Sequence, residues 1–144
     1  MICDKIDDCI EVLDRAIEIC RDPKGGKSTF RIENEDRKQY SKVNFEDCVY
    51  DGKENETKCD YAFIHRDVVY FVELKGSDVQ KGYAQLAATI IDTKKCFQDK
   101  EIKARLVVTK NGAPKIAKKS SGYKNLVKNT KDIVVKQHIL TEKI

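Results

Sequence analysis

The chain has 144 residues, of which 40% are hydrophobic and 36% charged, and its formal net charge is +4. This composition predicts a single globular domain spanning residues 1–144, long enough for one hydrophobic core, and excludes a disordered chain. No apolar run reaches the roughly 20 residues that a membrane helix needs. The acidic N-terminus lacks the apolar segment of a signal peptide, so we expect a cytoplasmic protein without membrane contact.

Six cysteines are spread along the chain without a C-x-x-C pair. They could form three disulfides, but reduced thiols are expected in a chain without a secretory signal. Because His65 and His138 are the only histidines, a structural zinc site is not expected. The cysteines are therefore interpreted as small apolar residues that fill the core.

The first predicted element is a long helix over residues 2–20. Apolar residues recur there at spacings of three and four, which predicts an amphipathic helix of about five turns that ends before Pro23. The residues on its apolar face are Ile2, Ile6, Cys9, Ile10, Leu13, Ile17 and Cys20.

Strands are predicted next, over residues 28–32 and 43–50. The polar segment 51–58 begins with Asp-Gly and favours a turn into the following strand. Two apolar, β-branched and aromatic runs, residues 61–64 and 68–74, then predict a hairpin with a short turn between them. We expect three antiparallel strands, the last of which ends at Glu73-Leu74-Lys75.

A second helix is predicted over residues 78–97, after Gly76 and a capping-box pattern formed by Ser77 and Gln80. Residues 105–109 predict a strand that lies parallel to the preceding one, because a helix separates the two.

The remaining chain is predicted to contain a helical segment near residues 123–128. A last strand, at an edge of the sheet, is predicted over residues 133–140.

Acidic residues stand at positions where buried strands seldom carry them. Asp60 precedes the first apolar run of the hairpin, and Glu73 ends the second, with Lys75 two residues further on. Side chains alternate along a strand, so Glu73 and Lys75 are expected on one face, with Asp60 near them. Two carboxylates and an amine that converge favour a bound cation. The alternative is a surface ion pair beside a buried strand.

Charge is distributed unevenly along the chain. Residues 1–100 hold 17 Lys and Arg against 21 Asp and Glu, whereas residues 101–144 hold 11 against 3. This asymmetry predicts a polyanionic partner for the C-terminal part, the alternative being a solvated lysine-rich face. Tyr123 could stack on a base or be part of the core. The candidate nucleic-acid-binding residues are Lys110, Lys115, Lys118, Lys119 and Lys124.

The order helix, three strands with D…E-x-K, helix, strand resembles the PD-(D/E)XK nuclease superfamily, which includes the Holliday junction resolvases. The resemblance implies an α/β protein with a restriction-endonuclease-like αβββαβ core, in which a mixed sheet is flanked by helices. It extends over residues 1–140 in topology. By this resemblance Asp60 is the motif aspartate, Glu73 and Lys75 are the E-x-K pair, and Gln85 is the polar residue of the following helix.

Two positions differ from the pattern of the superfamily. Cys59 stands where many members have a proline. Many members also supply a glutamate from the first helix. Glu11 and Glu18 lie opposite the predicted apolar face, so neither is well placed, and Glu33 or Glu35 stays a candidate.

The resemblance implies hydrolysis of phosphodiester bonds in nucleic acid, DNA more than RNA, with Mg²⁺ or Mn²⁺ as cofactor. Asp60, Glu73 and the backbone carbonyl of Leu74 would hold the ion. Lys75 would orient or deprotonate a water molecule or neutralise the transition state. Action on two strands would need a homodimer.

Two alternatives to the nuclease stay open. One is a non-catalytic module on the same fold that binds nucleic acid or a protein. The other is an unrelated α/β domain in which the E-x-K occurs by chance.

Overall fold

The computed structural model describes residues 1–22, 25–51, 58–109 and 117–144. The helices are α1 (Ile2–Asp8), α2 (Val79–Thr93) and α3 (Ser121–Asn129), with a π-helical turn at Phe45–Val49 and a 3₁₀ turn at Lys94–Phe97. The strands are β1 (Ile10–Leu13), β2 (Ile17–Arg21), β3 (Thr29–Glu33), β4 (Tyr40–Asn44), β5 (Tyr61–His65), β6 (Val68–Lys75), β7 (Glu101–Val108), β8 (Asp132–Gln137) and β9 (Ile139–Lys143).

Two sheets form the framework of the protein. The larger sheet has six strands in the order β1-β4-β5-β6-β7-β8, and the smaller has three in the order β2-β3-β9. In the larger sheet β1, β4, β5 and β6 pair antiparallel, whereas β6, β7 and β8 pair parallel. The protein is therefore a mixed α/β structure with β6 at the junction of the antiparallel and parallel halves.

Two hydrophobic cores lie on opposite faces of the six-stranded sheet. One packs that sheet against the helices, through residues such as Phe71, Leu86 and Leu126. The other packs it against the three-stranded sheet, through residues such as Phe30 and Phe63. Because both faces are covered, β6 is buried over most of its length, as the apolar run predicted. Within the described ranges, no helix is long and apolar enough to cross a membrane.

The predicted N-terminal helix is wrong beyond its first two turns. The chain leaves α1 at Cys9 and continues as β1 and β2, which pair with β4 and β3. In β2 the buried side chains are Glu18 and Cys20, while Ile17 and Ile19 are exposed. The spacing of apolar residues indicated a helix, but the β-branched residues favour strands, and pairing with distant strands decides the outcome.

The centre of the chain follows the predicted order closely. The hairpin forms from β5 and β6, α2 begins one residue later than predicted, and β7 is parallel to β6. The cap of α2 is Asp78, whose side chain accepts from the backbone N–H of Lys81, and not the predicted Ser77. The strand predicted over residues 43–50 ends at Asn44, where the π-helical turn starts. Of the predicted turn 51–58, residues 52–57 lie outside the described residues.

The last predicted strand is divided in two. His138 has a φ of +68°, a left-handed conformation that interrupts a strand. Before it β8 forms the edge of the six-stranded sheet, and after it β9 joins the three-stranded sheet. The helical segment predicted near residues 123–128 is α3.

Two glycines allow the helices to approach their neighbours closely. A Cβ added at Gly82 in α2 would lie 2.7 Å from Leu106 Cδ1 of the sheet, and one added at Gly122 in α3 would lie 2.9 Å from Ala84 Cα of α2. Both distances are shorter than van der Waals contact. A larger residue at position 122 would displace the backbone of α2, whereas one at position 82 would displace the buried Leu106 side chain.

Four of the six cysteines form disulfides, which corrects the expectation that all are reduced. Cys3 is bonded to Cys96, and Cys9 to Cys48. The two bonds fix both ends of the short helix α1, which could not be stable alone. Cys20 and Cys59 are free, and both are buried as the apolar fillers that the sequence predicted.

The disulfides can be tested by counting thiols. Alkylation of the unfolded protein without a reductant is expected to modify only Cys20 and Cys59, because the other four cysteines are paired. Reduction is expected to lower the free energy of unfolding by about 2–4 kcal/mol for each bond, since long loops are then released. Mass spectrometry and urea unfolding measure the two effects. Modification of every cysteine without a reductant would contradict the disulfides.

Candidate active site

The β5–β6 hairpin places Asp60 directly beside the end of β6. The backbone N–H of Asp60 donates to the carbonyl of Val72 at 3.2 Å. The Asp60 carboxylate accepts from the backbone N–H of Leu74 through Oδ2, at 2.9 Å. The aspartate that opens one strand is therefore bonded to both neighbours of Glu73 on the other.

Glu73 and Lys75 lie together, two residues apart on one strand. Lys75 Nζ is 3.7 Å from Glu73 Oε2. The carbonyl of Lys75 accepts a hydrogen bond from the Ser28 hydroxyl at 2.6 Å, which joins the end of β6 to the segment before β3. The structure thus brings Asp60, Glu73 and Lys75 to one place.

The two carboxylates are buried although charge makes burial costly. Asp60 is 6% exposed and Glu73 is 2% exposed. Glu73 Oε1 is buried, and no described group forms a hydrogen bond with it. A buried carboxylate oxygen without a partner costs free energy unless a ligand or a proton satisfies it.

Two other buried charges in the described chain, Glu18 and Arg105, have two charged partners each. Glu18, 6% exposed, accepts from Arg15 and from Lys42. Arg105, 3% exposed, donates to Asp132 and to Glu142. Glu73 differs from both, because Lys75 lies near Oε2 and no described group forms a hydrogen bond with Oε1.

Burial shifts the acidity of both groups. Loss of solvent raises the pKa of Asp60 from 3.8 to about 7, with the hydrogen bond from Leu74 acting in the opposite direction. Loss of solvent also raises the pKa of Glu73 well above its usual value; Asp60 adds to this rise, and Lys75 opposes it. Burial therefore destabilises the ionised form of both carboxyls, and a bound cation would stabilise that form.

Helix α2 holds the segment that leads into Asp60. Gln85 Nε2 donates to the carbonyl of Lys58 at 3.1 Å. Thr89 Oγ1 accepts from the backbone N–H of Cys59 at 2.7 Å and donates to the carbonyl of Gln85 at 3.0 Å. Gln85 Oε1 is buried and has no hydrogen-bond partner among the described groups. Gln85, predicted from sequence, thus contacts the backbone next to Asp60, while Thr89 was not predicted.

Asp60, Glu73, Lys75 and Gln85 line an open cleft of about 310 Å³, called here the acidic cleft. The sequence did not identify Asp22, Glu46 or Lys81 as members of it. Asp22 follows β2 and Glu46 lies in the π-helical turn, so neither is near the motif in sequence. The lining of the acidic cleft is Asp22, Glu46, Asp60, Glu73, Leu74, Lys75, Gly76, Ser77, Asp78, Lys81 and Gln85.

The glutamates considered from sequence lie elsewhere. Glu18 is engaged by Arg15 and Lys42, and Glu11 is exposed on β1. Glu33 and Glu35 line a separate cavity of about 390 Å³ beside the three-stranded sheet. Among the described residues the further glutamate of the acidic cleft is Glu46.

The candidate nucleic-acid-binding lysines do not line the described part of the acidic cleft. Lys110 and Lys115 lie outside the described residues. Lys118 and Lys119, before α3, and Lys124, within it, are exposed. Tyr123 packs edge-on against the buried ring of Tyr83, with centroids 4.8 Å apart, as a partly buried core residue would.

The donor set of the acidic cleft fits a hard divalent cation. Asp60 and Glu73 supply carboxylate oxygens, one of them without a hydrogen-bond partner among the described groups, and Leu74 also lines the cleft. In the described ranges no three His, Cys, Asp or Glu side chains are close enough to enclose an ion by themselves. Mg²⁺ is commonly held by one or two carboxylates and keeps several water molecules, so two carboxylates are sufficient.

Comparisons of the chain with protein-family models, with curated proteins and with solved structures find no significant match. What the acidic cleft can do is therefore derived from its own residues.

The raised pKa of Asp60 predicts a specific dependence of stability on pH. Between pH 3.8 and about 7 the folded protein retains a proton that the unfolded chain has lost, so the free energy of unfolding falls as pH rises through this range. Asp60→Asn cannot ionise, and its amide oxygen can still accept from Leu74. Without divalent cations this variant is expected to be more stable than the native chain, by a margin that grows up to about pH 7.

Urea unfolding over this pH range measures the effect. Asp67→Asn is the matched control, because Asp67 is exposed in the turn of the same hairpin. If the free energies of unfolding of Asp60→Asn and the native chain differ by the same amount at all pH values, the raised pKa of Asp60 is contradicted.

Proposed function

We propose that the chain is a metal-dependent nuclease that hydrolyses phosphodiester bonds, with DNA favoured over RNA as the substrate. The observation that carries the proposal is the pair of buried carboxylates, Asp60 and Glu73, with Lys75 beside them and an unsatisfied oxygen on Glu73. The pair lies in an open cleft, so a bound cation could meet a phosphate.

The element order supports a restriction-endonuclease-like core of the PD-(D/E)XK type. Strands β4, β5 and β6 pair antiparallel in sequence, α2 follows, and β7 returns parallel to β6. The αβββαβ order of the superfamily would then consist of α1, β4, β5, β6, α2 and β7, with β1, β2 and β3 inserted after α1. Asp60 then lies at the start of the second core strand and Glu73 and Lys75 at the end of the third, as the motif requires.

The acidic cleft provides the groups that phosphodiester hydrolysis needs. A bound Mg²⁺ or Mn²⁺ would stabilise the charge that develops on the phosphate and lower the pKa of a coordinated water molecule. Asp60, Glu73 and the carbonyl of Leu74 would hold that ion. Lys75, whose amine is 3.7 Å from Glu73, would orient the attacking water or neutralise the transition state.

Two groups of cations would bind the nucleic acid. Lys81 lines the acidic cleft at the start of α2 and would contact a phosphate next to the scissile one. Lys118, Lys119 and Lys124 are exposed around α3 and would contact the backbone further away. A homodimer would let two clefts act on two strands.

Cleavage assays with purified protein test the proposal. The substrates are single-stranded, duplex, flap and four-way-junction DNA and a structured RNA, each with Mg²⁺ or Mn²⁺. Asp60→Ala and Lys75→Ala are each expected to lower the cleavage rate by about 100-fold or more, since each removes a group that acts on the transition state. Asp67→Asn and Lys95→Ala alter exposed residues outside the acidic cleft and are expected to leave the rate unchanged.

The other outcomes assign other functions. Binding of nucleic acid without cleavage in either metal would contradict the nuclease and indicate a non-catalytic binding module. Neither binding nor cleavage of any substrate would leave a protein partner as the remaining hypothesis.

A cation site should also be visible in stability. Mg²⁺ or Mn²⁺ at millimolar concentration is expected to raise the melting temperature of the native chain, because only the folded state holds the two carboxylates together. The increase should be lost in Asp60→Ala and retained in Asp67→Asn. An equal rise of the melting temperature in the native chain, Asp60→Ala and Asp67→Asn would indicate that the ion binds outside the acidic cleft.

A further inference from the structure

The acidic cleft holds more negative charge than two metal ligands supply. Asp22 and Glu46 line it together with Asp60 and Glu73. The four side chains come from four separate segments: the end of β2, the π-helical turn, the start of β5 and the end of β6. Chain connectivity alone therefore does not explain their convergence.

Glu46 is held in position by its turn. The backbone N–H of Phe45 donates to the carbonyl of Asp60 at 3.0 Å, so the turn is bonded directly to the motif aspartate. Two residues after Glu46, Cys48 forms the disulfide with Cys9 at the end of α1. The turn that carries Glu46 is thus fixed both to the site and to the N-terminal segment.

The Glu46 side chain lies between a buried lysine and the acidic cleft. Its Oε2 is 4.0 Å from Lys58 Nζ, and the side chain is 24% exposed. Lys58 itself is 7% exposed, and its carbonyl accepts from Gln85. One side of the carboxylate is therefore close to a cation of the protein, while the residue also borders the cleft.

An independent observation indicates that a ligand belongs between these groups. Glu73 is 98% buried, it lines the cleft, and its Oε1 has no hydrogen-bond partner among the described residues. Asp22 and Glu46 both raise the pKa values of Asp60 and of Glu73, so they act electrostatically on the buried pair. A cation at Glu73 Oε1 would relieve the repulsion among all of them.

Direct coordination by all four carboxylates does not fit the geometry. No three acidic side chains in the described ranges approach closely enough to enclose one ion. A magnesium ion keeps several of its water molecules, and groups outside the coordination shell bind those waters and orient the ligands. Glu46 and Asp22 line the same cleft as Asp60 and Glu73, so they could bind such waters without touching the ion.

We propose that Glu46 and Asp22 complete the cation site from outside, by accepting hydrogen bonds from water molecules of an ion that Asp60 and Glu73 hold. This inference rests on the proposed function, because it takes Asp60 and Glu73 as the cation ligands. Glu46 and Asp22 are positioning residues in this arrangement. They set the affinity for the ion through their charge and their contacts with its waters.

Titration of Mn²⁺ into the full-length chain, followed by electron paramagnetic resonance without nucleic acid, tests the proposal. Glu46→Gln and Asp22→Asn are each expected to weaken Mn²⁺ binding by about 10-fold to 100-fold, as the loss of outer-shell partners does in other metal sites. Asp47→Asn is the matched control, because it removes the same charge from the same turn at an exposed position. The Mn²⁺ affinity of Asp47→Asn is expected to equal that of the native chain.

The outcomes separate this inference from the proposed function. If the native chain binds Mn²⁺ and Asp60→Asn does not, but Glu46→Gln and Asp22→Asn bind like Asp47→Asn, only the outer role is overturned. If the native chain binds no Mn²⁺, the proposed function fails and this inference with it. Glu46→Gln and Asp22→Asn lie on separate segments. If one variant does not fold, the Mn²⁺ affinity of the other still tests the proposal.

Discussion

The burial of Asp60 and Glu73 side by side is the constraint on which the rest of the account depends. Two carboxylates removed from water repel each other, and one oxygen of Glu73 has no partner among the described groups. A fold can retain such a pair only if surrounding contacts hold it together, or if a proton or a cation neutralises it. These contacts come from the hairpin, from the hydrogen bonds of α2 to residues 58 and 59, and from the π-helical turn that carries Glu46. What the site can do therefore depends on whether a proton or a cation neutralises the pair.

The local patterns of the central part of the chain were sufficient to predict its structure. Apolar runs on either side of a short turn gave the hairpin of β5 and β6 nearly to the residue, and alternation placed Glu73 with Lys75. The helix after Gly76 and the parallel strand beyond it followed from periodicity and from the rule for crossover connections. In these segments each strand pairs with the strand before or after it in the chain, so local patterns are enough to indicate the pairing.

The parts that sequence did not predict depend on distant residues. The N-terminal segment has helical spacing, yet it pairs as strands because β3 and β4 offer unsatisfied edges. The disulfides join cysteines 93 and 39 residues apart, a proximity that no spacing rule reveals. Glu46 and Asp22 reach the acidic cleft for the same reason, since tertiary packing carries their segments to the end of β6. Their sequence neighbourhoods contain no motif that could have identified them.

The most direct test of the central claim is a crystal structure of the native chain in Mn²⁺, with anomalous diffraction recorded to locate the ion. We expect an anomalous peak for an ion within coordination distance of carboxylate oxygens of both Asp60 and Glu73. An acidic cleft that stays empty of Mn²⁺ at saturating concentration would contradict the cation site.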